Sequence, residues 1–362
     1  MKQKPVAGAW AGLLIAIPVL AAERLETLPQ TKPLDWEESD LSSRLMDGAH
    51  GFIERQIAES VGKRSQFWAR DFSSPAAYAR SVQPNRARFQ TTIGAVDPRL
   101  PARMERFGDD AHPALVAETS RYLVYQVRWP VVDGLFGSGL LVQPRGPPVA
   151  YGVVLPDADQ TPEQSMGLAP GVRPESQAAR LLAENGFELV LPTLVNREKL
   201  QTVDQQLRNS DQTHREWIYR QAFHMGRHVI GYEVQTVMAA VDWFQQRHGD
   251  GTKVGVCGHA EGGLIAFYAA AADPRIDAAL VSGYFDSRQK VWAEPIYHNV
   301  WGLLREFGDA EVASLILPRG LIVEHSAVPT VRDAKGEWHT PDFASVAAEV
   351  DRIESGPTFV RP

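Results

Sequence analysis

Lys253-Val-Gly-Val-Cys-Gly-His-Ala-Glu-Gly-Gly-Leu-Ile-Ala-Phe-Tyr268 reads as a strand, a sharp turn and a helix. The apolar run 254–257 enters a glycine-rich corner, Gly258 to Gly263, and the small apolar residues 264–272 favour a helix beyond it. This is the G-x-S-x-G layout of a nucleophile elbow, a turn so tight that side chains flanking its central residue must be absent. The central position here holds Ala260, which has no nucleophilic atom. The corner therefore predicts a scaffold built to present a nucleophile, at a position that has none.

On either side of the elbow, apolar segments alternate between two periods. Upstream, 217–248 carries Ile230, Val234, Val237, Met238, Val241 and Phe244 at helical spacing, and Gly249-Asp250-Gly251 stops it. Before that, 121–129 and 135–142 alternate as two strands joined through Pro130 to Gly134, and 149–155 is a continuous apolar run suited to a buried strand. Residues 175–185 form a helix ended by Gly186, 187–191 the next strand, and 196–213 a polar excursion without clear core residues. Downstream, 276–283 and 319–324 read as strands, short helices fill 291–317, and a last amphipathic helix places Phe343, Val346, Val350 and Ile353 on one face. Strands alternating with helices after an antiparallel start predict an α/β fold with a mostly parallel central sheet.

The remaining segments complete the organisation. Residues 1–22 combine Lys2 and Lys4, an apolar stretch and a small-residue exit, the pattern of a cleaved export leader; the alternative is a single membrane anchor. Residues 23–118 read as a helical N-terminal extension, with a helix over 45–57, Phe67 and Trp68 as anchors and another helix opening at Pro75. The main domain spans 119–330, and 331–362 is a tail. The 362 residues are 44% hydrophobic and 22% charged with net charge −7, which argues against a nucleic-acid partner because phosphate binding needs a basic surface. Cys257 is the one cysteine, so an internal disulfide is excluded. No H-E-x-x-H or cysteine pair marks a metal site, and the elbow lacks the G-K-[ST] ending of a phosphate loop, so neither metal nor cofactor is expected.

The hairpin, the loop at 156–163, the elbow and the strand ending at Glu324 fall in the order of an α/β-hydrolase. Ala-Asp-Pro-Arg-Ile-Asp at 272–277 and Leu-Pro-Arg-Gly-Leu-Ile-Val at 317–323 resemble the dienelactone-hydrolase and acetylxylan-esterase branch, in large exported bacterial proteins. The resemblance implies an ester hydrolase with Ala260 in the nucleophile position and Glu324, or Asp286, as its acid. Two departures matter. The serine is absent, and no further strand or well-placed histidine follows Glu324, since His339 lies in a polar turn close behind it. The readings open for that second departure are a natural fragment and the front part of a longer protein.

If an acyl-transfer site exists, the backbone N–H of Glu261 and one near Asp157 or Ala158 would hold the oxyanion. Glu261, expected at the mouth of the site, is a candidate general base, with a helix-dipole role as the alternative. Glu324 is either the acid or a buried carboxylate paired with an arginine such as Arg288; Asp286 is either an acid or a turn residue. His259 should point away from the pocket. Asp157 and Asp159 with Glu163 could bind a hard cation, but read first as turn-forming acids. The group Trp292, Glu294, Tyr297, His298, Asn299 and Trp301 could stack on a sugar if exposed, or form core if buried. The functional expectations are a carboxylic-ester hydrolase type of doubtful competence acting on a small-molecule or carbohydrate ester, a non-catalytic module holding an ester or saccharide, or an esterase disarmed by deliberate replacement of serine with Ala260.

Overall fold

The computed structural model describes residues 30–31, 40–200, 212–333 and 336–353. The leader expected over 1–22 lies outside them. Two compact units divide the chain, residues 1–53 and 54–362. The described part of the first is chiefly the opening of helix α1 (Leu41–Lys63), whose cap is Asp40, accepting from the Ser42 N–H at 2.9 Å. Leu45, Met46, Phe52 and Ile53 are exposed along it.

The second unit takes in the end of α1 and continues with helices α2 (Pro75–Ser81) and α3 (Gln83–Thr92), each with proline in its first turn, where the missing N–H costs nothing. Phe89 is fully buried, edge-on to Tyr268 and Phe307, so this part of the expected extension belongs to the main core. The helical pattern also ends earlier than 118: β1 (Glu105–Arg106) and β2 (Leu115–Glu118) are strands that pair with the hairpin that follows. That hairpin is β3 (Tyr122–Val132) and β4 (Leu135–Pro144), and only Asp133-Gly134 makes its turn.

Next come β5 (Tyr151–Leu155), the short helices α4 (Pro162–Ser165) and α5 (Ala178–Glu184), and β6 (Glu188–Pro192). The single long helix expected over 217–248 is two: α6 (His214–Phe223) and α7 (Val229–His248). Gly226 takes φ 63 between them, and the His228 imidazole caps α7 by accepting from the Ile230 N–H at 3.1 Å. The elbow then supplies β7 (Val254–His259) and α8 (Glu261–Ala272), followed by β8 (Ile276–Ser282), α9 (Asp309–Ile316) and β9 (Gly320–Glu324). A small hairpin, β10 (Val331–Arg332) with β11 (Glu337–Trp338), and helix α10 (Phe343–Asp351) close the described chain. In α10 Val346 is buried, whereas Phe343 is exposed.

The sheet runs β1-β3-β4-β6-β5-β7-β8-β9, with β2 on the flank of β3. Pairing is antiparallel through β4–β6 and parallel from β6 to β9. The sheet is therefore mixed, and the parallel expectation holds for the half that carries the elbow. All residues of β6 and of α8 are buried. The alanines of α8 and the absence of polar residues after Glu261 let this helix sit inside the core against α3, α7, α9 and the parallel strands.

Candidate functional site

The elbow is built as its glycines require. Ala260 adopts φ 54, ψ −118, a conformation costly for a residue with a β-carbon, of order 1–3 kcal/mol. Its N–H donates to the Ser282 carbonyl at 2.9 Å and its carbonyl accepts the Leu264 N–H at 3.1 Å, so both sides of the turn are pinned. A β-carbon on Gly258 would overlap the Gly262 carbonyl, and one on Gly263 would lie 2.8 Å from the Ser282 carbonyl. The strand, the turn and the helix start are thus locked together around a residue without chemistry.

What the turn presents is Glu261, and it lies in the interior, not at the mouth of a site. Its side chain is fully buried. Oε1 accepts from Arg215 Nη2 at 2.8 Å, while Oε2 accepts from Arg197 Nη2 at 3.0 Å and faces His298 Nε2 at 3.1 Å. Burial alone would raise this carboxyl's pKa. Arg215 and then His298 and Arg197 outweigh it and hold the carboxyl far below the usual range. A carboxylate so strongly stabilised as the anion is a poor proton acceptor.

Around Glu261 the ion pairs continue in both directions. Arg215 forks onto Glu233, Nη1 to Oε1 at 2.8 Å and Nη2 to Oε2 at 3.0 Å, and also donates to the Val195 carbonyl. His298 turns Nδ1 toward Glu294 Oε2 at 2.7 Å. Both ring nitrogens thus face carboxylate oxygens, which requires both to carry protons. Burial lowers the His298 pKa, and Glu261, with Glu294, more than reverses this, so the imidazolium is favoured. Its contribution to stability is complete below the unfolded value near 6.5 and is lost as pH rises through the elevated folded value. The urea midpoint is therefore expected to fall as pH rises above about 6.5, and His298→Asn is expected to flatten that fall. Equal pH slopes in the two proteins would refute the imidazolium.

Asp157 completes the arrangement. Arg197 grips it with Nη1 on Oδ2 at 2.7 Å and Nη2 on Oδ1 at 2.9 Å. Asp157 Oδ1 also accepts the Glu261 backbone N–H at 3.1 Å. That N–H is the elbow's expected oxyanion donor, and a carboxylate of the chain already occupies it. Ala158 is buried beside Asp157, and Asp159 takes the other Arg197 contacts, from Nη1 at 3.0 Å and from the backbone N–H at 2.8 Å. Ala260, Glu261, Asp157 and His298 are all at most 4% exposed.

The other sequence candidates lie apart from this cluster. Glu324 is exposed and does not pair with Arg288, which instead reaches Asp309 Oδ2 from Nε at 3.0 Å and Glu294 Oε1 from Nη1 at 3.2 Å. Glu324 ends the outermost strand, which pairs with β8 alone, and its side chain is on the exposed face. Asp286 accepts from the Ser287 N–H and the Ser345 hydroxyl, joining a turn to α10. His339 is exposed. The aromatic group divides: Tyr297 and His298 are core, whereas Trp292 and Trp301 are exposed.

Three participants carry no sequence expectation, Arg197, Arg215 and Glu233, while His298 takes the core alternative of the aromatic group. Arg197 is 6% exposed at its side chain, within a segment that looked like surface. Glu233 gave the available signal, a carboxylate beside Ile230, Val234 and Val237 on a buried helix face, which demands a cation.

Residues 166–296 match the dienelactone hydrolase family. Among solved structures the chain is similar to a protein from Bacteroides fragilis assigned as an acetyl xylan esterase, with TM-score 0.58 and 14% identity over 77% of this chain and 75% of that one. It is also similar to a glucuronoyl esterase from Solibacter usitatus, with TM-score 0.50 and 16% identity over 76% of this chain and 80% of that one. None of the curated proteins matches the sequence. The fold is that of the α/β-hydrolases.

Proposed function

On that fold, we propose that the chain is an exported protein of the carboxylic-ester hydrolase type whose elbow has become a structural ion-pair core and no longer turns over ester. The hydrogen bond from the Glu261 N–H to Asp157 carries this reading, because the donor that would stabilise a tetrahedral oxyanion is filled from within. Ala260 supplies no nucleophile, and the Glu261 carboxylate is committed to three cations. Export rests on the leader pattern at 1–22, and no helix among the described residues is long and apolar enough to cross a membrane. The names of the structural neighbours make short carbohydrate esters the substrate class to try first.

The test is hydrolysis of p-nitrophenyl acetate and an acetylated xylo-oligosaccharide by the purified chain and by Ala260→Ser. Equal rates are expected, since a serine at 260 meets a filled oxyanion position. A gain of about tenfold or more, roughly 1.4 kcal/mol of barrier, would overturn the proposal.

A further inference from the structure

The C-terminal ends of the elbow strand and its neighbours carry a second polar row. His259 of β7 is in register with Ser282 of β8, and Ser282 with Glu324 of β9. Residues in register on parallel neighbours share a face at a strand spacing of about 4.8 Å. Imidazole, hydroxyl and carboxylate therefore line up where open α/β sheets bind their ligands. His259 Nδ1 and Ser282 Oγ are 3.0 Å apart.

The surroundings suit proton transfer between them. Burial lowers the His259 pKa, and Asp157, one strand beyond on the other side, and Glu324 oppose that only in part, so the ring is neutral near pH 7 and can accept a proton. Gly283 follows Ser282 with φ 71, and a β-carbon there would crowd Val328 and stand 3.5 Å from His259 Cε1. Ser282 retains 5% of its surface and the neighbouring Glu324 is exposed.

We infer that Ser282 and His259 form a nucleophile–base pair for acyl transfer from small carboxylic esters, one strand across from Ala260, flanked by the carboxylates of Asp157 and Glu324. The inference rests on the ester-hydrolase reading and supplies the nucleophile that the elbow lacks. Ser282 Oγ attacks the ester carbonyl as its proton passes to His259 Nδ1. The imidazolium returns that proton to the departing alcohol, leaving an acyl-serine. Water then attacks the acyl carbon, gives a proton to His259, and the carboxylic acid leaves as Ser282 regains its hydrogen.

A fluorophosphonate probe tests this on the full chain, forming an Oγ–P bond with loss of fluoride. Peptide mapping is expected to find one adduct, on Ser282. Release of p-nitrophenol from p-nitrophenyl acetate is expected to fall about 10²-fold in Ser282→Ala and His259→Asn, the range for losing a general base. No adduct, an adduct elsewhere, or unchanged hydrolysis in Ser282→Ala overturns the inference. If His259→Asn fails to fold, the map on the unaltered chain still decides. Activation by Ala260→Ser would sink the inert-elbow reading instead, while the Ser282 map would be judged on its own result.

Discussion

Glu261→Gln is expected to lower the unfolding free energy by about 3–5 kcal/mol, the cost of breaking a buried ion pair by removing one partner. The substitution keeps the shape of the side chain and removes its charge. Arg197, Arg215 and His298 all point hydrogens at this carboxylate, and Arg215 and His298 are almost wholly enclosed. The glutamine amide would turn its own N–H groups toward one of those donors, so a repulsive contact replaces an attractive one. Domains of this kind are stable by about 5–15 kcal/mol, and the loss is a large share of that. Glu324→Gln provides the control: its carboxylate is exposed, and the expected change is within about 0.5 kcal/mol. Urea denaturation of the three proteins measures both effects. A loss below about 1 kcal/mol in Glu261→Gln would mean that the cluster is far more hydrated than its burial indicates.

Gly262→Ala is expected to cost at least as much, about 4 kcal/mol or more, and to appear as insoluble or unfolded protein. Gly262 is the second residue of α8, where alanine would ordinarily be the better helix former. Here the added methyl would land on the carbonyl oxygens of Leu155 and Pro156 at the end of β5. Both obstacles are backbone, held by the central strand of the sheet, and neither can swing aside as a flexible side chain would. The helix start and β5 would have to separate, pulling Glu261 from Asp157 and breaking the Arg197 contacts with it. Gly48→Ala in α1, whose β-carbon would meet open space, is the matching control and is expected to be neutral or slightly stabilising. A folded Gly262→Ala protein with an unchanged urea midpoint would show that the elbow can widen.

Much of the fold follows from local patterning, because each period is set by which faces of an element meet the core. The apolar run at 254–257, the glycines at 258, 262 and 263 and the small residues of α8 define the elbow without knowledge of any neighbour. Alternation located β3 and β4, and the apolar run at 149–155 located β5. The break between α6 and α7 was missed because apolar residues on both sides continue the helical period; the turn at Gly226 is set by a positive φ, which hydrophobic spacing does not encode.

The site divides differently. From the sequence came the absence of a nucleophile at Ala260 and the placement of Glu261 immediately after it, since both are properties of single positions in a recognisable turn. Only the tertiary structure decided that Glu261 is inside, and that Arg197, Arg215 and His298 enclose it. Those residues stand 64, 46 and 37 positions away along the chain, and a charged residue's letter does not say whether it ends in water or against a partner. Charge pairing is settled by distance and burial, which exist only once the sheet has brought these segments together.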